Sequence, residues 1–358
     1  MDIFEEMQKH GHEELNFFYE REFDLNAIVA IHNSNPGMAL GPTKAYNYLY
    51  EEESISEALK LSKNTTFSAS ILNCDIGGAA GILIQDEDHQ NSEGYLRAYG
   101  RFLRSFGKNF CTLSESGLVQ KDMFFVAKEF SNVIGLPKFR GGLGEPYYYI
   151  AYGAYCCMRA CANEAFGNPS LDKKRIFVQG LGPTGIHLVK MLSQEGAILY
   201  ITDDQYDNVK RIKDEITNVY IVRPEEFENI EVDIFSPCAK DGVITKNYID
   251  GKKCRIIAGT ARSPFYSDDL SKYALKAGII YAPDFVMNAA IAIFADSEIS
   301  GYDAENVKHH IEQIYDIMTE IIIKSKETGT ATDEIAEKMC VERLDIIRKV
   351  RKIYTGSF

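Results

Sequence analysis

Hydrophobic and polar positions follow two different rhythms along this chain. Residues 1–140 mix both periodicities: Ala27-Ile28-Val29-Ala30-Ile31 is an apolar run of strand length, while Ile55, Ala58 and Leu59 recur at helical spacing between Ser54 and Lys63. Ser54, with Glu57 one turn on, reads as a capping box that starts this helix. Beyond residue 175, apolar runs alternate with helical stretches: Arg175–Gln179, Leu199–Asp203, Val219–Val222, Asp233–Phe235, Arg255–Ala258 and Ile279–Ala282. That alternation predicts a parallel sheet covered by helices. Asn306–Lys324 and Asp333–Tyr354 are spaced as two long amphipathic helices, with Gly329 as the break.

Composition narrows the class. A length of 358 residues suits two domains, each able to bury a core. With 45% hydrophobic and 25% charged residues, the chain reads as a globular protein, and no apolar run approaches the ~18 residues of a membrane span. The segment MDIFEEMQKHGHEEL lacks the basic start and apolar stretch of a secretory signal, so a cytoplasmic location is expected. Eight cysteines without CxxC spacing are expected as reduced thiols, with no structural metal site. A net charge of -13 and the lack of a basic stripe argue against nucleic acid as a partner.

The sharpest motif follows the run Ile176-Phe177-Val178-Gln179. Gly180-Leu181-Gly182-Pro183-Thr184-Gly185 places the GxGxxG pattern between a strand and a helix, where amides at the helix start can face a pyrophosphate. Pro183 fits an early helical position, where an amide proton has no internal acceptor. Asp203, ending the next strand, stands where an acid would hold the ribose hydroxyls and repel the extra phosphate of NADP. The expectation is a Rossmann-type domain that binds NAD.

Longer segments carry a resemblance. AIVAIHNSNPGMALGPTK, SEALKLSK, IGGA, AYGAYCCMRACANEAFG, QGLGPTG, DIFSPCA, IIAGTA and GIIYAPDFVMNAA resemble, in the same order, segments of the Glu/Leu/Phe/Val (amino-acid) dehydrogenase family, leucine dehydrogenases above all. The resemblance implies an α/β fold of two domains: an N-terminal α+β substrate and assembly domain over 1–140 and a Rossmann NAD-binding domain over 141–330. A C-terminal helix over 331–358 would return to the first domain. It also implies a cleft between the domains, a homo-oligomer, a small-molecule ligand, and cofactor contacts at Cys238, Ala239, Ala258, Gly259 and Asn288.

The same resemblance marks losses. Of the family's two lysines, the one that binds the substrate carboxylate aligns with Ser68 and the one that activates water aligns with Ala80. The acid that assists proton transfer aligns near Glu115. A double glycine becomes Gly41-Pro42, which removes an amide donor. A threonine that holds the nicotinamide amide falls on Ile150, an asparagine pair on Arg262-Ser263, and a glycine pair on Ala290-Ile291. The altered substrate pocket would comprise Leu40, Gly41, Ser68, Ala80, Ile150, Arg262 and Ile291.

Two functions are compatible with this pattern. One is an NAD-dependent oxidoreductase that reduces an imine or carbonyl, with Glu115 or Asp75 as proton source and Arg262 as anion contact; ordinary leucine dehydrogenase activity is expected to be absent. The other is a catalytically silent homologue with a binding, regulatory or assembly role. Cys74 is a candidate nucleophile, Tyr147-Tyr148-Tyr149 a candidate stacking surface, and His187, His309 and His310 read as packing or surface residues.

Overall fold

Two units emerge in the computed structural model, which describes residues 2–86, 91–239, 241–301 and 304–353. One comprises Met1–Pro146, Ala292–Val307 and Cys340–Phe358; the other comprises Tyr147–Ile291 and Lys308–Met339. The boundaries expected at 140 and 330 differ in detail, since residues 292–307 group with the first unit. A physical tie is Glu298, whose carboxylate accepts the backbone N–H of Gly135 at 3.1 Å and of Leu143 at 2.8 Å.

The first unit opens with α1 (Ile3–His10), β1 (Glu14–Glu20), β2 (Leu25–Asn33) and β3 (Ala39–Tyr46). It continues with α2 (Glu51–Ile71), β4 (Gly77–Ile84), α3 (Glu93–Leu103), β5 (Phe110–Ser114) and α4 (Gln120–Ala127). Its five-stranded sheet has the order β1-β2-β4-β3-β5; β1, β2 and β4 pair antiparallel, and β3 runs parallel to both β4 and β5. The strand expected at 27–31 lies inside β2.

The capping box expected at Ser54 does not form. The N-cap of α2 is Tyr50, and Glu51, Glu52 and Glu53 fill the first turn, where carboxylates are favoured by the positive end of the helix. Ser54 instead donates to the Glu51 carbonyl at 2.6 Å from inside the helix.

Side chains alternate across this sheet. Ile28, Ala30, Ala80 and Ile82 pack with Ile55, Ala58 and Leu59 of α2, whereas Val29, Ala79, Tyr95, Tyr99 and Phe110 pack on the face covered by α3. Glycine allows α2 to approach closely: a Cβ on Gly78 would lie 2.2 Å from the Thr66 backbone N. Gly78→Ala is therefore expected to lower stability by about 3 kcal/mol, the upper end of overpacking costs, because the clash is with helix backbone. Urea unfolding of the variant checks this, and an unchanged midpoint would show that α2 can shift freely.

The second unit holds α5 (Tyr147–Phe166), β6 (Arg175–Gln179), α6 (Pro183–Glu195), β7 (Ile198–Thr202), α7 (Tyr206–Glu215), β8 (Val219–Ile221) and β9 (Ile234–Pro237). There follow α8 (Lys246–Asp250), β10 (Ile256–Ile257), α9 (Leu270–Lys276), β11 (Ile280–Tyr281) and α10 (Asp284–Met287). The strands form a parallel sheet in the order β11-β10-β9-β6-β7-β8. This is the doubly wound arrangement expected from the apolar runs, with its reversal of direction between β6 and β9.

Helix α11 (Ala290–Ser300) follows, then α12 (Ala304–Thr328) and α13 (Thr332–Arg351), with Gly329 at φ 67° in the break. These are the two long C-terminal helices expected from spacing; the expected end at Tyr354 lies outside the described residues. The end of α13 returns to the first unit, where Cys340 O accepts from Ser70 Oγ at 3.1 Å. Among the described residues no helix is long and apolar enough to cross a membrane.

Candidate functional site

In the second unit, the glycines between β6 and α6 have separate physical reasons. Gly180 has φ 107°, and a Cβ there would lie 2.4 Å from the Ala239 side chain. At Gly185 a Cβ would sit 2.1 Å from the Gly180 carbonyl, so this glycine permits close helix packing. Gly182 differs: its φ is -64°, and a Cβ would meet nothing within 4 Å. Neither the backbone nor a protein neighbour requires a glycine there. The space above it lies at the positive end of α6, beside Pro183 and Thr184, and fits a pyrophosphate approaching the backbone.

Asp203, just past β7, completes this end of the sheet. One carboxylate oxygen accepts the Leu181 N–H at 2.6 Å; the other accepts the Gln205 N–H at 2.8 Å and Asn208 Nδ2 at 3.3 Å. The acid thereby fixes the glycine turn. Cys238 donates its backbone N–H to Gln179 O at 2.7 Å, and Ala258 donates to Phe235 O at 2.9 Å. A Cβ on Gly259 would lie 2.0 Å from Pro237 O. Asn288 Nδ2 reaches both Thr260 O at 3.1 Å and Asp284 O at 2.9 Å. All the cofactor residues expected from sequence thus gather along the C-terminal edge of the parallel sheet.

The residues expected from sequence to line a substrate pocket divide between the units. In the first, Leu40, Gly41 and Pro42 lie on β3, and Leu40 is registered against Gly78 of β4. The ladder between β3 and β4 resumes at Thr43 and Gly81, so Pro42 stands opposite Ala80 where pairing is interrupted, as a residue without an N–H requires. Ala80 is fully buried among Ile28, Ala30, Leu59 and Ile82. Ser68 lies in the buried C-terminal half of α2. A Cβ on Gly41 would press on the Phe110 ring at 2.5 Å.

Glu115 follows β5. Its N–H donates to Thr43 O at 2.8 Å, and its carboxylate accepts from the Ser116 N–H at 3.3 Å. Asp75 is different: it is 82% exposed and ion-paired with Arg343 at 2.9 Å, so its carboxylate has a surface role in place of the proton transfer expected for it. Cys74 also departs from expectation. Burial, reinforced by Asp296, pushes its thiol up to about 12, which removes the thiolate a nucleophile needs.

In the second unit, Ile150 and Ile291 are buried. Ala290 stands close to Gly153 of α5, where an added Cβ would lie 2.8 Å from the Ala290 methyl. Tyr148 stacks with Tyr152 on α5, and the His187 ring meets Tyr148 edge-on at 5.9 Å. His309 lies 3.6 Å from Glu312, and no cluster of metal-binding side chains occurs among the described residues.

Two carboxylates to which the sequence assigned no role lie near Arg262. Asp241, in the segment after β9, accepts the Ser263 N–H at 3.1 Å. Asp284 opens α10, with its N–H on Tyr281 Oη at 3.2 Å and the Phe285 N–H on its Oδ1 at 2.8 Å. Burial raises the Asp284 carboxyl to about 7, against the opposing charge of Arg262; Asp241 and Asp333 raise it further. No spacing in the sequence announces this pair, because it is assembled from loops after different strands.

A nucleotide-type sheet edge in one unit and a mixed sheet with a packed glycine turn in the other also occur together in known proteins. Residues 18–132 match the dimerisation domain of the Glu/Leu/Phe/Val dehydrogenases, and residues 197–347 match the glutamate/leucine/phenylalanine/valine dehydrogenase domain. The chain belongs to this family. It is 35% identical over 354 residues to a leucine dehydrogenase of Bacillus cereus, covering 99% of this chain and 96% of that one. A phenylalanine dehydrogenase of Thermoactinomyces intermedius is 32% identical, with 98% and 96% covered. Among solved structures, the L-tryptophan dehydrogenase of Nostoc punctiforme superposes with a TM-score of 0.78 at 29% identity, covering 97% of this chain and 99% of that one. Within this dehydrogenase family, the fold expected from sequence is the fold observed.

Proposed function

We propose that the protein binds NAD and reduces an imine or carbonyl, with a substrate site changed so far that amino-acid deamination is lost. The observation that carries the cofactor reading is the open space over Gly182 at the start of α6, beside a turn whose other glycines are explained by protein contacts. When bound, the cofactor would supply hydride. Asp203 would hold the ribose hydroxyls and disfavour the added phosphate of NADP; Gly180 and Gly185 would keep the turn tight; Asn288 would brace the loops after β10 and β11 at the nicotinamide end.

Ser68 and Ala80 stand at the positions read as the family lysines, and neither can clamp a carboxylate or move a proton. Glu115 retains a carboxylate at the end of β5 and would be the proton source. A second reading, a silent homologue that binds a ligand or assembles, is favoured by the packing of Ala80 in an apolar cluster. A homo-oligomer is part of both readings: β1 is an edge strand with Phe17 52% and Tyr19 66% exposed, and it overlaps the start of the segment matching a dimerisation domain.

Calorimetric titration with NAD, NADH and ADP-ribose tests the proposal. NADH is expected to bind more tightly than ADP-ribose, and equal affinities would favour the silent homologue. Gly182→Ala is expected to change stability by less than about 0.5 kcal/mol, as a surface substitution in open space does. The same change should weaken all three ligands at least tenfold, about 1.4 kcal/mol, by filling the phosphate position. Unchanged affinity in a folded Gly182→Ala protein would remove the phosphate site.

A further inference from the structure

The ends of β9, β10 and β11 converge on one cation. Arg262 lies in the segment after β10, half-buried at the edge where ligands of open parallel sheets bind. The segments after β9 and β10 are laced together by Gly242 N–H to Ser263 O at 2.8 Å and Ile244 N–H to Pro264 O at 2.9 Å. That lacing puts Asp241 beside Arg262, and the Asn288 bridge to Thr260 O brings the start of α10, with Asp284, to the same place. A guanidinium close to two carboxylates carries a charge that they partly offset.

We propose that Arg262 is the contact for a carboxylate-bearing ligand, and that binding of this anion is coupled to uptake of one proton by Asp284. This deepens the reading of the second unit as the cofactor-bearing half and rests on it for the ligand's place beside the nicotinamide. The physical basis is competition for one guanidinium. An entering carboxylate has to share Arg262 with Asp241 and Asp284, and the ionised pair repels it. Neutralising Asp284 removes one competitor and one repulsive charge.

The groups facing Asp284 are Arg262 from the segment after β10, Asp241 from the segment after β9, Asp333 from the start of α13, and the Tyr281 hydroxyl of β11. The Phe285 N–H on its Oδ1 and the charge of Arg262 favour its ionised form. Burial and both acids favour the proton, so Asp284 changes charge close to neutrality. The assignment also accounts for an arginine where the resemblance expects an asparagine: a carboxylate ligand that has lost a lysine clamp acquires a planar cation that can grip both its oxygens.

Oxalate is a suitable probe, because it presents carboxylates and does not itself titrate across neutral pH. Calorimetry of the full-length protein at several pH values, with and without NADH, is expected to show affinity falling about tenfold per pH unit above ~7. At alkaline pH, titrations in buffers of different ionisation heat should reveal uptake of one proton per oxalate. Asp284→Asn should bind without the pH slope and without proton uptake, while Arg262→Gln should lose at least tenfold at every pH and Arg262→Lys should recover part of it. Oxalate binding unchanged in Arg262→Gln, a slope that persists in Asp284→Asn, or absence of oxalate binding to the native protein overturns the proposal. If Asp284→Asn does not fold, proton uptake by the native protein decides alone, and its absence overturns the coupling. The titrations without NADH separate the two readings: loss of NADH binding with oxalate binding intact defeats the cofactor assignment and leaves the anion site standing.

Discussion

Supplied with NAD and L-leucine, L-valine or L-phenylalanine, the purified protein is expected to form NADH some 10² to 10⁴ times more slowly than a family enzyme carrying both lysines. That range is the cost of losing one positioned proton-transfer group, and loss of the carboxylate clamp adds a cost in orientation. The structure makes the proposed loss hard to bypass by way of a neighbour. Ala80 has no exposed surface and packs against Ile28, Ala30 and Ile82, so on that face of β4 it meets hydrocarbon. Pro42, opposite it on β3, contributes no amide proton. Steady-state absorbance of NADH is the measurement, and production at rates typical of the family would refute the assignment of Ser68 and Ala80.

Mild acid is expected to destabilise the first unit through a buried and a half-buried histidine. His32 places Nε2 on the His10 carbonyl at 2.9 Å and Nδ1 on the Thr66 hydroxyl at 2.9 Å, so the neutral ring satisfies both nitrogens. Its pKa falls to about 3, first because it is buried and then because His12 lies against it, with ring centroids 4.8 Å apart; Lys63 and His10 act in the same direction. His12 is lowered too, again mainly by burial. Its Nε2 faces the Leu59 carbonyl at 2.9 Å, and its Nδ1 has no hydrogen-bond partner, so a second ring proton would lack an acceptor.

The sign follows from which state accepts the proton. Above the unfolded value of about 6.5 neither state is protonated and the stability is fully present; as pH falls, the unfolded chain takes up protons that folded His32 refuses until about 3. Each histidine so held back costs about 1.4 kcal/mol per pH unit over that window. Urea unfolding across pH ~7 to ~4 should therefore show a slope that His32→Gln reduces by about one histidine's worth. A slope identical in the variant would place the acid sensitivity elsewhere.

The two halves of the chain differ in how much they disclosed before folding. In the second unit the strands are covered on both faces, so each appears as a continuous apolar run bounded by polar residues. β6 was expected over the residues it occupies, and the runs at β7 to β11 each contain the observed strand or overlap it. In the first unit β4 begins Gly-Gly-Ala-Ala-Gly and β3 contains a proline, compositions that argue against a strand when read locally. They form a sheet because α2 needs a surface without side chains at Gly78, a requirement set by a helix that ends several residues earlier. The start of α2 departs from the local signal for the opposite reason: Ser54 and Glu57 have the spacing of a capping box, but the acidic turn before them already supports a helix.

The glycine turn, Asp203 and the doubly wound fold were determined by the sequence alone, because each depends on contacts between residues close along the chain or on a period of apolar positions. The losses proposed at Ser68, Ala80 and Pro42 rest on something else, the resemblance of their surroundings to a known family. Only the tertiary structure decided that Asp75 belongs to a surface ion pair with Arg343, that Cys74 is buried too deeply to ionise readily, and that Asp241 and Asp284 flank Arg262. Burial and charge at those positions arise from segments far apart in sequence, and a side chain's proton affinity is set by whatever the fold brings beside it.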